Sequence, residues 1–510
     1  MINSLVLWGR AIRAQHLTIL FVLLAACWRI YLASSYYGWE ESDYGNLAMT
    51  KGVLDGGFIH FDMNHLPLYY AVSAAVMSVV GDATIASVGV SFVSGIALVG
   101  VSVIIAWRVF GVAAAWLSGL FLVLQPELAL YSASSLREPL YGLLVVICLL
   151  YINERRIALA SFIAGLAFLT RMDAALILTP ILLLTGALNG RKRGRSYLAG
   201  SCVGLLPIVG VVLAWSVYCN FEHGTFAFWG HSIAVNLETG GTESPGIDLL
   251  NGAVVSASLL GPVISSKFGL FVLIGWIIGL IRTPWATHCP QRNVALTSLL
   301  LMGFWLALGF FGQHEPGHNL YWKWLFGVAA PFIIVASSGL LHLFSAAPMA
   351  RLGRSLVLGI VVIHTIYVML VETSRQISLS EEILGPQVEL AKWIETETPD
   401  GNVMILDNVP ERWLSRRDHS RELYTWMDLP ICEGGGQNCE WSPDDFANWV
   451  KGTGIEYILW YGEEWTRAPN AAPWLRSAEI WSWGDVTLTP LRSARLEMID
   501  SWIFYQVTLR

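Results

Sequence analysis

Charge is scarce in this chain. Lysine, arginine, aspartate and glutamate together make up 14% of its 510 residues, against about a quarter in an ordinary soluble domain. With 55% apolar residues and a mean hydropathy of +0.55, the composition excludes one water-soluble core. It implies an integral membrane protein, with membrane lipids among its partners. The net charge is −7, and no basic block is long enough to make nucleic acid a partner. No small-x-small cleavage site precedes the first polar loop, so the apolar run after Arg10 and Arg13 reads as a retained span. The seven cysteines are scattered, and only Cys432 and Cys439 stand close together in a polar stretch. In an oxidising compartment these two could pair, and as two unpaired small residues they fit equally well. No soluble-type repeat is visible.

What is there in quantity is apolar sequence. Runs recur at 15–34, 66–81, 84–107, 111–131, 136–153, 157–171, 174–190, 196–219, 268–282, 294–312, 322–345 and 353–373. Several approach the roughly 20 residues a helix needs to cross the hydrocarbon. A weaker stretch, 251–266, reads as interfacial or re-entrant. The positive-inside rule assigns Arg10/Arg13, Arg155/Arg156, Arg191-Lys192-Arg193 with Arg195, Arg282 with Arg292, and Arg351 with Arg354 to the cytoplasm. Loops 35–65, 220–250 and 312–321, and everything after about 374, then face the other side. An inside N-terminus and an outside tail require an odd number of spans, whereas twelve runs are visible, with the conflict lying between 66 and 131. The expected fold class is a polytopic α-helical membrane protein with 11 or 13 spans in residues 1–373, and a small extracytoplasmic α/β domain in 374–510. In that tail, the spacing of Val388, Leu390, Trp393 and Ile394 after Pro386 is that of an amphipathic helix. Val403–Leu406 and Ile455–Trp460 read as buried strands around a helical stretch from Asp444 to Val450, which suggests a partly parallel sheet.

The few charges on the outer side carry the functional argument. Glu40, Glu41 and Asp43 crowd into four positions directly after the first span. They either hydrate a loop and favour a helix start, or supply a general base whose pKa partial desolvation lifts towards neutrality. His65 stands just before Leu66-Pro67-Leu68-Tyr69-Tyr70, where Pro67 suits the first turn of a helix. Arg137 and Glu138 enter an apolar helix, where a local ion pair is the plain reading. Arg171, in Thr170-Arg171-Met172-Asp173, lies outside against the positive-inside tendency, and Lys323 is a second outer cation, flanked by tyrosine and tryptophan. His314, Glu315 and His318 are the candidate metal ligands, although Pro316-Gly317 spoils a helical i,i+4 spacing. Whether a divalent metal takes part is open. An acid to accept a proton, with cations to hold an anionic group, is what transfer from a phosphate-linked donor requires.

In this order, the elements resemble the C-type glycosyltransferase superfamily, nearest the branch with the protein O-mannosyltransferases and lipid A aminoarabinose transferases. That branch has an acidic Asp-Glu-x-x-Tyr motif after the first span, a basic-Pro-Pro-Leu-Tyr-like helix start, a second acid entering a span, and a Gly-Leu-x-x-Leu-Thr-Arg/Lys turn. Here Glu40-Glu41-Ser42-Asp43-Tyr44, His65-Leu66-Pro67-Leu68-Tyr69, Glu138, and Gly165 through Arg171 are similar to these, and Lys323 to Pro331 resembles a late basic-to-proline pattern. The first acid is Glu rather than Asp, and His65-Leu66 replaces the basic-Pro start. The resemblance implies an inverting transferase that moves a sugar from a polyprenyl-phosphate donor to a hydroxyl of a glycan, lipid or protein. The active site would face the extracytoplasmic side of a bacterial inner membrane. It implies Glu40 or Glu41 as base, with Asp43 beside them and Glu138 orienting a cation or the acceptor. His65, Arg137, Arg171 and Lys323 would hold the donor phosphate. The rival is a transporter or flippase of lipid-linked saccharides, which would carry mid-membrane ionisable residues in a repeated pattern.

Overall fold

The computed structural model of the chain describes residues 2–34, 37–38, 41–56, 66–190, 203–223, 226, 264–285, 290–312, 319–346, 351–397, 402–405, 423–425, 443–461, 480–494 and 502–509, some of them as backbone only. They form two compact units: Met1–Tyr36, Gly52–Val76 and Ala86–Gln376 in the first; Tyr37–Lys51, Met77–Ile85 and Ile377–Arg510 in the second.

The first unit is helical. Its elements are drawn from α1 (Ile2–Ala33), α2 (Glu41–Gly56), α3 (Pro67–Val80), α4 (Ala83–Phe110), α5 (Val112–Leu124), α6 (Pro126–Ser132), α7 (Glu138–Asn153), α8 (Ile157–Phe168) and α9 (Asp173–Gly190). After these come α10 (Leu206–His223), α11 (Ile264–Phe268), α12 (Leu270–Arg282), α13 (Pro290–Gly312), α14 (Asn319–Ala346) and α15 (Arg351–Ile383). Among the described residues, four stretches are long and apolar enough to cross a membrane: Gln15–Ala33, Ala83–Phe110, Phe326–Ser345 and Ser355–Glu382. A fifth is the pair α5 and α6, bent by 58° where the run 111–131 breaks. The break is chemically explicit. Pro126 cannot continue the helical hydrogen-bond ladder, and the Gln125 side chain takes up the Leu128 N–H at 2.6 Å, starting α6 as a new helix.

Hydrogen bonds mark the two ends of this bundle. At one end Arg108, in the last turn of α4, pairs with Glu154 at 3.0 Å, Arg156 lies 3.7 Å from Glu154, and Gln291 donates to the Val109 carbonyl. These are the arginine-rich turns that the charge rule assigns to the cytoplasm. At the other end the Leu68 N–H bonds the Leu169 carbonyl at 2.9 Å, and Ser91 Oγ, on α4, bonds the Leu136 carbonyl at 2.5 Å. From Ser91 to Phe110 the helix rises about 28 Å, close to the ~30 Å hydrocarbon thickness. The residues of α4 before Ser91 lie beside α3, whose Tyr69 hydroxyl donates to the Ser87 carbonyl at 3.0 Å.

Close packing fixes α14 within the bundle. Gly275 and Gly279 of α12 face Gly339 of α14 so tightly that a Cβ on Gly339 would sit 1.8 Å from the Gly275 carbonyl oxygen. One on Gly279 would sit 2.4 Å from Val335 O. Small residues four apart permit such backbone approach, and van der Waals contact then replaces the hydrophobic drive that lipid does not supply between helices. Gly339→Leu is expected to cost at least the ~1–3 kcal/mol of an overpacked core, read as a lower thermal midpoint in detergent; an unshifted midpoint would disprove the contact.

The second unit carries α16 (Gly385–Glu397), β1 (Val403–Ile405), β2 (Leu423–Thr425), α17 (Pro443–Thr453), β3 (Tyr457–Tyr461), β4 (Trp481–Trp483), β5 (Val486–Ala494) and β6 (Trp502–Leu509). The strands form one sheet in the order β2-β1-β3-β6-β5-β4, parallel among the first three and antiparallel beyond. Side chains alternate between its faces. Phe504 meets Trp393 of α16 edge-on at 5.2 Å. Its neighbours Ile503 and Tyr505 join Ile458, Val486 and Leu488 in a core with Phe446, Ala447 and Val450 of α17. Cys432 and Cys439 lie outside the described residues.

Candidate functional site

The acid that enters α7 and the cation of the α8–α9 turn come together. Glu138 is the first residue of α7 and 1% exposed; Arg171, in the four residues between α8 and α9, is 7% exposed. Arg171 Nη1 donates to Glu138 Oε1 at 2.6 Å and Nε to Asp173 Oδ1 at 3.0 Å. Its guanidinium lies 5.6 Å from the centre of the Tyr141 ring. Burial alone would weaken the guanidinium as a base-bound cation, but Asp173 and Glu138 more than offset this and hold it charged, its pKa raised above the usual arginine value. Arg137, more exposed, reaches Glu138 Oε1 at 3.9 Å. Two carboxylates and two guanidiniums thus balance at the end of the bundle away from Arg108 and Glu154, where a lone buried ion would be very costly.

α14 borders this cluster. The Tyr141 ring lies so close to Gly327 that a Cβ there would be 2.9 Å from Tyr141 Cε1. Lys323 stands four residues, one turn, before Gly327 on the same helix; only its backbone is described.

In the second unit the acidic motif begins α2. Asp43 is fully buried in the first turn, and Glu41, the first residue of the helix, is described as backbone only. The loop before it is held firmly. The Tyr44 hydroxyl donates to the Tyr37 carbonyl, and Ser380 Oγ donates to the Gly38 carbonyl. The Lys392 ammonium stands 5.6 Å over the Tyr37 ring. Gly38 has φ +82° and sits under the Tyr44 ring, where a Cβ would meet Cε2 at 2.8 Å, so only glycine fits. Glu40, His65, His314, Glu315 and His318 lie outside the described residues. Among the described residues no group of three or more His, Cys, Asp or Glu side chains is placed to hold a metal ion.

The sequence reading missed a second buried cluster. Lys267 of α11 lies 2.7 Å from Glu127 of α6 and 2.6 Å from Glu372 of α15, with all three side chains almost wholly enclosed. On α1, Arg29 is fully buried and donates to the Ala25 and Leu128 carbonyls at 3.3 Å. The signal was available: an ionisable residue inside an apolar run is a functional candidate by default, and Arg29 and Glu127 both stand inside runs assigned whole to the bilayer.

No family model and no curated protein matches the sequence. Solved structures do match in fold. ArnT from Cupriavidus metallidurans in the apo state superposes with a TM-score of 0.60 at 13% identity, over 97% of this chain and 98% of that one. The same protein bound to undecaprenyl phosphate gives 0.58 at 13% identity, over 96% and 97%. The Archaeoglobus fulgidus oligosaccharyltransferase, in complex with Zn and sulfate, gives 0.51 at 13% identity, over 87% of this chain and 67% of that one. The resemblance to the C-type glycosyltransferases therefore holds at the level of fold.

Proposed function

We propose that the chain is an inverting glycosyltransferase that takes a sugar from a polyprenyl-phosphate donor at the extracytoplasmic face of a bacterial inner membrane. The observation that carries this reading is the end-to-end likeness in fold to ArnT, one structure of which holds undecaprenyl phosphate. Glu40 or Glu41 deprotonates an acceptor hydroxyl. The oxygen attacks the anomeric carbon opposite the phosphate, the carbon–oxygen bond to the phosphate breaks, and polyprenyl phosphate leaves with the electron pair. Asp43 shapes the acidic loop. Arg171, already committed to two carboxylates, supplies its charge from behind by holding Glu138 in place. The more exposed Arg137, with His65 and Lys323, neutralises the departing phosphate. The acceptor is a hydroxyl of a glycan, a lipid or a protein.

We also propose eleven spans, a count that the two ends of the bundle support. We read α3 and the start of α4 as standing outside the bilayer, beyond the level of Ser91. The crossings are then α1, α4, bent α5–α6, α7, α8, α9, α10, α12, α13, α14 and α15, eleven in all. An odd count goes with an outside tail, as the charge rule expects.

The buried ions Arg29, Glu127, Lys267 and Glu372 lend some weight to the rival reading, a transporter or flippase of lipid-linked saccharides. One measurement separates the two. In detergent micelles, with no two compartments, a transferase still moves labelled sugar from a polyprenyl-phosphate donor to an acceptor, whereas a flippase has nothing to do. Transfer in micelles is the expected result, and its absence across lipid, glycan and protein acceptors would overturn the proposal.

A further inference from the structure

The Glu127–Lys267–Glu372 cluster is closed. Lys267 Nζ donates to Glu127 Oε1 and Glu372 Oε1, and the Gln376 amide donates to the same two oxygens at 3.1 Å each. Gln125 Nε2 holds Glu127 Oε2, and Arg375 Nε holds Glu372 Oε2 at 3.1 Å. Each carboxylate oxygen already accepts from at least one donor among the described residues. General stability does not explain the cluster, because apolar residues of similar volume often serve as well as, or better than, a buried ion pair.

What ions add is direction. Glu127 is the second residue of α6, directly after the 58° bend. On another side of the same short helix Arg29 grips the Leu128 carbonyl. From α6 the chain runs without slack to the transfer site. Ala133 N–H bonds Leu130 O at 3.0 Å, Ser134 Oγ bonds Tyr131 O at 2.9 Å, and the Leu136 carbonyl is tied to Ser91. Two residues later stands Glu138.

We propose that Lys267 is a positioning residue: by locking Glu127 to Glu372 it sets the direction of α6 after the bend, and so the place of Glu138. This rests on the reading of Glu138 as part of a transferase site, and the test separates the two. Full-length protein in lipid nanodiscs is compared with Lys267→Met by amide hydrogen exchange and by transfer kinetics. Exchange is expected to rise at least about tenfold in residues 126–138 and to stay unchanged in 157–190, since loss of a tether opens structure locally. Turnover should fall by about 10–100-fold with the donor KM within twofold, as a misplacement of about 1 Å costs up to ~10²-fold. Should the single variant misfold, Glu127→Gln/Lys267→Met/Glu372→Gln, which leaves no uncompensated ion among the three, should show the same pattern. Unchanged exchange at 126–138, or an equal rise across 157–190, would overturn the positioning role. If wild-type protein transfers no sugar, the transferase reading falls, while the exchange result still decides the role of Lys267.

Discussion

Glu40→Gln/Glu41→Gln is expected to lower kcat/KM for sugar transfer by about 10²–10⁴-fold, the usual worth of a general base, with the protein still folded. Glutamine keeps the shape of the side chain and its hydrogen-bonding oxygen but cannot take a proton. The effect should fall on kcat, because the base acts in the transition state and not in donor binding. The scaffold should survive, since Tyr37 and Gly38, just before these residues, are held by Tyr44, Ser380 and Lys392. Single variants then assign the base: the one that alone reproduces the double variant is the proton acceptor. Full activity in the double variant would sink the catalytic assignment of the motif.

Arg171→Met should do a different kind of damage. Arg171 serves two carboxylates, Glu138 at 2.6 Å and Asp173 at 3.0 Å, in a setting where it is 7% exposed. Removing the cation leaves two negative charges side by side with little water, and breaking a buried ion pair from one side costs about 3–5 kcal/mol. The thermal midpoint in detergent should drop sharply, and activity with it. Adding Glu138→Gln to Arg171→Met removes one of the stranded charges and should recover part of the midpoint but none of the activity. Arg171→Lys keeps the charge without the planar fork that reaches both acids, and should lie between wild type and Arg171→Met. A wild-type midpoint for Arg171→Met would show that the ion pairs do not hold the α7–α9 end together.

Much of this site could be read from the sequence because charge is so rare. Arg171 and Glu138 stand out as charged residues at the ends of apolar runs, and the structure brings them into direct contact 33 residues apart. Glu127 did not stand out, because the run 111–131 reads as one span until Pro126 is taken as a break. Lys267 and Glu372 meet across 105 residues of chain, a separation that no local pattern encodes. In the tail, the helices and strands around 386–397, 403–405, 443–453 and 457–461 follow from spacing alone. The insertion of β6 between β3 and β5 does not, because it depends on register chosen between distant segments.

The α3–α4 hairpin carries a consequence for biogenesis. Apart from Asp82, residues 66–107 carry no charged side chain, so a translocon that sorts segments by hydrophobicity meets two attractive candidates where, on the proposed eleven-span reading, only one crosses. The border lies in hydrogen bonds, Tyr69 to Ser87 and Ser91 to Leu136, whose partners include a residue synthesised 45 positions later. On that reading the hairpin's orientation would be settled only after Leu136 has been made, because the Ser91 bond has no partner before then.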